Sequence, residues 1–285
     1  MMNEKETEQL VTEAVQGSKT ALEEIVRRIQ QPVYSLSLRM LFNPEDAKDI
    51  SQEILITIIT NLQGYRFEGS FRAWVLRIAV NKLRAVRKTR VERKMASIGN
   101  LDGILDRYEA KGWLSKQPDA PEPYLEAETR SVCTHALLLT LDRAHRMAFI
   151  LGVVMEVSSQ EGAQILDITS AAYRKRLSRA RSRIKDFLVN NCGIFDDANR
   201  CRCSRILPTY LQKGWVDPDK PVFIPKHGDG ESNTKLGRYL KEMDELKQIS
   251  AIYNSVQPSE FDFVDVVKSI YQNNQYRILS DPQLT

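Results

Sequence analysis

The chain has 285 residues, a formal net charge of +4, 42% hydrophobic residues and 27% charged residues. This length and composition favour two or three compact units with hydrophobic cores. The sequence begins without an apolar run behind a basic segment, and its longest apolar runs are far too short to cross a bilayer. Its four cysteines therefore indicate a cytoplasmic protein with free or metal-bound thiols, and a secreted or membrane-spanning protein is not expected.

The first third of the sequence predicts a small helical domain. Apolar residues recur at helical spacing up to Pro32. The proline is predicted to start a new helix. Asn43 before Pro44 is typical of the next helix start, because asparagine caps the first turn and proline suits the first helical position. A short loop over 64–70 follows, and Ser70 is predicted to cap a fourth helix.

The fourth predicted helix, within residues 69–90, is strongly basic. It holds seven Lys or Arg residues and no acidic residue, with apolar residues at helical spacing between them. A basic amphipathic helix can lie on a membrane surface, bind a nucleic acid, or cover a core with a solvated face. The helix by itself leaves these three interpretations open.

The composition changes after this helix. Residues 96–127 are rich in Gly, Pro and acidic residues, which predicts a linker. Helical periodicity returns over 128–190, where a short helix, a three-residue turn and a basic helix follow one another. This is the layout of a helix-turn-helix, whose second helix enters the DNA major groove, although a basic solvated helix in an ordinary bundle is the alternative. We predict an all-α fold: two small helical domains (1–95 and 128–190), the linker between them, and a mostly helical C-terminal extension (191–285). The extension is predicted to begin with a Cys-containing loop, rich in Pro and Gly, which amphipathic helices follow.

The extension begins with three cysteines in the pattern C-x8-C-x-C, namely Cys192, Cys201 and Cys203. With His227 they would supply four ligands for a tetrahedral zinc ion, and structural thiols in a compact turn are the alternative. Cys133 lies on an apolar helical stripe and is predicted to be a core residue. Apart from the candidate zinc, we predict no cofactor. The amphipathic helices predicted later in the extension, over 236–253 and 261–271, need an apolar partner, either the rest of this chain or another protein.

Three segments together resemble the extracytoplasmic-function sigma factors, the small two-domain specificity subunits of bacterial RNA polymerase. NPEDAKDISQEILITI (43–58) is similar to the family's D-A-x-D-x-x-Q-E helix. GSFRAWVLRIAVNKLRAVRK (69–88) is similar to its S-F-R-A-W-L-x-R-I-A-x-N segment, and DITSAAYRKRLSRAR (167–181) to its G-I-S-x-x-x-V-K-S-R-L-x-R-A-R segment. The segments occur in the family's order, and CGIFDDANRCRC (192–203) resembles a branch with a Cys-containing extension.

The resemblance implies that the chain binds core RNA polymerase and promoter DNA. The first segment implies binding of core polymerase through Asp46, Asp49, Gln52 and Glu53. The second segment and the loop before it imply binding and opening of the minus-ten promoter element through Tyr65, Phe67, Arg72, Trp74, Arg77, Asn81, Arg84, Arg87 and Lys88. The third segment implies recognition of the minus-thirty-five element through Ser170, Tyr173, Arg174, Lys175, Arg176 and Arg179.

Alternatives remain for individual residues. Tyr65 and Phe67 either stack on an unpaired base or anchor the loop on the core, and Trp74 is either a core residue or a strand-separating wedge. Tyr173 lies on the apolar stripe of the last basic helix, at a position that is either buried or faces the DNA groove. Asp167 stands where the family usually has Gly, and Asp tolerates the unusual backbone angles of such a turn.

Other function classes fit less well. An enzyme is not expected, because the chain has no Gly-rich phosphate loop and no H-E-x-x-H motif. A metal- or redox-responsive sigma factor gated by the extension is one alternative, and a helix-turn-helix regulator independent of core polymerase is another. An anti-sigma factor is a further candidate partner, and no membrane insertion is expected.

Overall fold

The computed structural model describes residues 4–89, 92–93, 102–114, 123–223, 245–254, 262–266 and 268. This part of the chain is helical and contains no β-strand, so the all-α prediction is confirmed there. Its α-helices are α1 (Glu4–Val15), α2 (Lys19–Leu41), α3 (Pro44–Thr60), α4 (Phe71–Ala85), α5 (Asp102–Ala110), α6 (Pro123–Leu138), α7 (Arg143–Phe149), α8 (Ser159–Leu166), α9 (Ser170–Asn191), α10 (Cys203–Gln212) and α11 (Glu245–Asn254). A 3-10 turn (Leu62–Gly64) follows α3, and a π-helical turn (Ile150–Val154) follows α7.

The chain divides into two compact units. The first consists of Met1–Arg87, Gln160–Ser170 and Glu260–Thr285, and the second of Lys88–Ser159 and Ala171–Ser259. None of the helices in the described ranges is long and apolar enough to cross a membrane.

The helix α2 is central to the first unit and packs against α1, α3 and α4. We predicted a new helix at Pro32, but α2 continues across it. Proline inside a helix costs about 3 kcal/mol, because it removes a hydrogen bond and crowds the preceding turn. The apolar stripe continues through Ile29 and Val33, which are fully buried, and this packing outweighs the cost.

Side-chain caps set the starts of α3 and α4. Asn43 Oδ1 accepts hydrogen bonds from the backbone N–H groups of Glu45 and Asp46, at 3.0 and 3.4 Å. Ser70 Oγ accepts one from the backbone N–H of Ala73 at 3.0 Å. These bonds satisfy N–H groups that have no partner within the helix, and they fix where the predicted basic helix begins.

The second unit includes part of the C-terminal extension in its core. Tyr253 of α11 donates a hydrogen bond to the Thr134 carbonyl at 3.0 Å. The buried Glu128 carboxylate accepts hydrogen bonds from the backbone N–H groups of Val222 at 2.7 Å and Phe223 at 3.0 Å. The sequence left the partner of the extension open, and for these residues the partner is the same chain.

Two helices lie where loop or linker was predicted. The helix α5 lies within the predicted linker, and α10 within the Pro- and Gly-rich start of the extension. Arg200 forms ion pairs with Asp106, at 2.7 Å, and with Glu109, so side chains of the extension hold the linker helix. These contacts join residues about ninety positions apart, which local composition cannot reveal. The predicted helical stretches at 236–244 and 269–271 lie outside the described residues.

Candidate nucleic-acid interface

The first predicted surface is the outer face of α3. Asp46, Asp49, Gln52 and Glu53 are all exposed there. Spacings of three and four residues place the three acids on one helical face. Glu53 lies 3.8 Å from Lys82 Nζ of α4, an exposed ion pair that contributes little to stability. The face is acidic and solvent-facing, which suits a basic partner.

The loop before α4 is an aromatic cluster. Tyr65 is buried and donates a hydrogen bond to the Gly69 carbonyl at 2.6 Å. The centroid of its ring lies 4.8, 5.2 and 5.7 Å from the ring centroids of Phe67, Phe71 and Trp74, respectively. Phe67 is 47% exposed and adopts a left-handed backbone conformation, with φ of +58°. Tyr65 therefore anchors the loop, while Phe67 projects into solvent. Trp74 is half-buried at the border between the apolar core and the solvent.

The helix α4 separates an apolar stripe from a basic surface. Arg72 is half-buried, and the other predicted polar residues on α4 or just after it are exposed: Arg77, Asn81, Arg84, Arg87 and Lys88. Within the first unit, Arg84 donates a hydrogen bond to the Leu166 carbonyl at 2.8 Å, and Ser70 donates one to Glu161 at 2.6 Å.

The third predicted surface follows the turn between α8 and α9. Asp167 adopts a left-handed φ of +54°, as expected for a residue that replaces glycine in this turn. The backbone N–H of Ile168 donates to the Ala163 carbonyl at 3.0 Å, which closes the turn. On α9, Arg174, Lys175 and Arg179 are exposed, and Ser170 and Arg176 are half-buried.

Tyr173 does not belong to this surface. We predicted a DNA contact, but the residue is 0% exposed and its hydroxyl donates to the Ala148 carbonyl at 3.5 Å. The neighbouring Gly152 leaves room for it, since a Cβ at Gly152 would lie 2.8 Å from the Tyr173 hydroxyl. The ring is therefore a core residue of the second unit.

The cysteines are all reduced, and Cys133 lies with the three cysteines of the extension. Burial raises the pKa of Cys133 to about 12, and it also raises the pKa of Cys201 and of Cys203 well above their ordinary value. Within the described ranges, no three His, Cys, Asp or Glu side chains are already arranged to hold a metal ion. His227 lies outside those ranges. Sequence reasoning placed Cys133 in the core but missed its proximity to the others, because helical periodicity reports burial and does not report neighbours.

Comparisons with known proteins show which family this chain resembles. The family model of Sigma-70 region 2 matches residues 25–91, and that of Sigma-70, region 4 matches residues 131–184. The chain is 31% identical over 185 residues to the ECF RNA polymerase sigma-E factor of Escherichia coli (strain K12), covering 64% of this chain and 95% of that protein. It is 26% identical over 179 residues to the ECF RNA polymerase sigma factor SigW of Bacillus subtilis (strain 168), covering 61% and 92%. The structure of CnrH in complex with the cytosolic domain of CnrY is 20% identical, covers 63% of this chain and 94% of that chain, and gives a TM-score of 0.42.

Two helical segments that match regions 2 and 4 define the chain as a transcription initiation factor of the Sigma-70 type. More specifically, the chain belongs to the extracytoplasmic-function (ECF) RNA polymerase sigma factors. It is therefore a sigma factor that binds core RNA polymerase and directs promoter-specific transcription. The region 2 match gives no support to a helix-turn-helix regulator independent of polymerase, and none of the comparisons supports a metal- or redox-responsive factor.

Proposed function

We propose that this sigma factor divides promoter-specific initiation among three surfaces, carried by α3, by the 65–69 loop with α4, and by α9. It acts in the bacterial cytoplasm and performs no catalytic step of its own. The acidic face of α3 binds core polymerase. An exposed row of carboxylates favours a basic partner and disfavours DNA, so this face is separated by charge from the two DNA-binding surfaces.

The main observation that supports binding of the minus-ten element by the 65–69 loop is the exposure of Phe67. A bulky residue with positive φ is uncommon, and a phenylalanine in solvent forgoes the free energy of burial. Backbone strain of this kind is typical of binding sites, where the surrounding structure holds it in place. Here Tyr65 supports Phe67 through a ring contact of 4.8 Å. An aromatic face held out in this way can stack on an unpaired base.

The basic residues next to the loop complete the minus-ten surface. Arg72, Arg77, Arg84, Arg87 and Lys88 supply positive charge for the phosphates of the opening duplex, and the exposed Asn81 amide can donate to a base edge. Trp74, half-buried beside Tyr65, supports the loop from the helix side. The absence of acidic residues from 69–90 follows from this role, because a carboxylate there would repel the DNA backbone.

The surface of α9 recognises the minus-thirty-five element. Ser170, Arg174 and Lys175 lie in its first two turns, where a recognition helix meets base edges in the major groove. Arg176 and Arg179 lie further along, where they bind phosphates. Tyr173 contributes indirectly by anchoring α9 in the core of the second unit.

The test uses holoenzyme assembled from the full chain and core polymerase, on a promoter selected from a genomic fragment library. Phe67→Ala should bind core polymerase normally and lose about tenfold of its run-off transcription on duplex DNA, since one stacked base is worth about 1–3 kcal/mol. Transcription should recover on a template that is already unpaired at the minus-ten element. The matched control is Val15→Ala, which removes another exposed apolar side chain on α1.

Two outcomes would count against the proposal. Equal transcription of duplex DNA by Phe67→Ala and by the unaltered chain would remove the loop from promoter opening. Failure of the unaltered chain to bind core polymerase at low salt would overturn the function as a whole.

A further inference from the structure

Four cysteines, one of them distant in sequence from the other three, line one small cavity in the second unit. They are Cys133 on α6, Cys192 at the end of α9, Cys201 in the following loop, and Cys203 at the start of α10. The cavity has a volume of about 30 Å³, which is enough for a single ion, because one water-sized probe needs roughly 10–15 Å³. All four cysteines of the chain are therefore gathered at one place.

The backbone after Cys192 folds into a tight turn. The N–H groups of Phe195 and Asp196 donate to the Cys192 carbonyl at 3.1 and 3.2 Å. Cys192 and Cys201 form a parallel β-bridge, in which the N–H of Gly193 donates to the Cys201 carbonyl at 2.9 Å. The turn and the bridge therefore hold the two cysteine backbones side by side.

Two guanidinium groups lie next to these cysteines. Arg130 is 2% exposed and lines the same cavity. Arg202 is half-buried, and its guanidinium lies beside the turn after Cys192, since a Cβ on Gly193 would be 1.6 Å from Arg202 Nη1. A tetrathiolate complex of a divalent ion carries two negative charges, which these two cations would offset.

We propose that Cys133, Cys192, Cys201 and Cys203 bind one zinc ion as a structural tetrathiolate site, which ties α6 to the C-terminal extension. Four thiolates in tetrahedral geometry, with Zn–S distances of about 2.3 Å, are the ligand set that zinc prefers in structural sites. Among the described residues the thiols are not at ligand spacing, so the proposal requires them to move closer together when the ion binds. Each of the four thiols releases one proton to solvent as its sulfur binds zinc.

The proposed zinc site does not depend on the proposed promoter contacts, and its fourth ligand differs from the one expected from the sequence. The sequence suggested His227 as the fourth ligand, whereas the structure places Cys133 in the cavity. With Cys133 as a ligand, the ion connects the core of the second unit to the extension, and with His227 it would connect two parts of the extension only.

The experiment measures metal content and ligand number in the full chain, purified under reducing conditions without chelator. Mass spectrometry of the metal should give one zinc per chain. Replacement by Co²⁺ should give the intense visible and near-ultraviolet absorption of tetrahedral thiolate coordination. Cys133→Ser should reduce zinc retention during dialysis against a chelator and weaken the thiolate-to-cobalt absorption, and His227→Ala should change neither. Thr134→Val, which alters a cavity-lining residue that is not a ligand, is the matched control.

Measurements on the unaltered chain alone can overturn the proposed zinc site, so the test does not depend on whether the variants fold. A chain that contains no zinc, takes up no Co²⁺ and has four free thiols after unfolding contradicts it, and so does a chain with a Cys192–Cys201 disulfide. Loss of zinc in His227→Ala with retention in Cys133→Ser would overturn the assignment of the fourth ligand. One zinc per chain that depends on Cys133 and is independent of His227 supports the proposal.

Discussion

Glu92 accepts two parallel hydrogen bonds from Arg143, both at 2.7 Å, inside the second unit. Arg146 adds a third contact to the same carboxylate at 3.1 Å, and both Glu92 and Arg146 are about 1% exposed. Bidentate pairing with arginine is among the strongest arrangements available to a carboxylate, and here it is buried. The segment just after α4 is therefore anchored on α7.

Replacing Glu92 by Gln should destabilise the second unit by about 3 kcal/mol, because it leaves two arginines beside a neutral amide in a buried site. Urea unfolding followed by tryptophan fluorescence measures this, since Trp113 and Trp215 both lie in the second unit. Glu53→Gln is the control: it breaks an exposed pair at 3.8 Å and should change stability by less than about 0.5 kcal/mol. Equal effects of the two substitutions would contradict a special role for Glu92.

The same carboxylate predicts a loss of stability in acid. Burial acts to raise the pKa of Glu92, but the hydrogen bond from Arg143 and the charges of Arg146 and Arg143 outweigh it, and the pKa is lowered from 4.5. A lowered folded-state pKa contributes stability that is complete above pH 4.5 and is lost as the pH falls through the folded-state value. Melting temperatures measured from pH 7 to pH 3 should fall more steeply for the unaltered chain than for Glu92→Gln. If the melting temperatures of the two proteins fell in parallel with pH, protonation of Glu92 would not be a cause of the acid instability.

Sequence reasoning succeeded where the structural signal is local. The caps at Asn43 and Ser70 and the turn at Asp167 depend on residues within a few positions of each other, so the sequence contains what determines them. The apolar stripe of α9 is equally local. The exposure of most of the predicted acidic and basic residues follows from the same periodicity, because residues off the apolar stripe face solvent.

The failures share a different physical cause. The continuation of α2 across Pro32 and the pairing of Arg200 with the linker helix depend on contacts between distant residues. Tyr173 was assigned to DNA through its place in the segment that resembles the sigma factor family, yet the space beside Gly152 buries it. Nothing in the sequence indicated that Glu92 forms a buried ion pair, because it lies in a charged stretch that is typical of a solvated surface.

Gly152 should tolerate no side chain. A Cβ there would lie 2.6 Å from a methyl carbon of Leu177 and 2.8 Å from the Tyr173 hydroxyl, and both side chains are buried. Gly152→Ala should therefore destabilise the second unit by about 1–3 kcal/mol, the usual cost of overpacking. Gly64→Ala, with open space around its Cβ, should leave urea unfolding of the chain nearly unchanged. An unaffected Gly152→Ala would show that α9 can shift away from the turn.

Tyr65→Phe should affect both folding and promoter opening, in contrast to Phe67→Ala. It removes the hydroxyl that donates to the Gly69 carbonyl at 2.6 Å, which costs about 1 kcal/mol and loosens the loop. Phe67 is exposed, so its removal should slow promoter opening with little change in stability. Thermal unfolding and the rate of open-complex formation separate the two effects. Equal loss of stability in both variants would mean that Phe67 also serves as a loop anchor.

Arg174 and Arg179 should differ in how they affect binding to the minus-thirty-five element. Arg179→Ala should weaken binding to all sequences alike and reduce the slope of log affinity against log salt by about 1, as expected for one phosphate contact. Arg174, in the second turn of α9, should change the preferred sequence when replaced by Ala, because arginine there reaches base edges. Arg27→Ala, which removes an exposed arginine paired with Glu23 on α2, should change neither property. Holoenzyme binding to promoter variants at several salt concentrations measures both effects, and an unchanged salt slope in Arg179→Ala would exclude its phosphate contact.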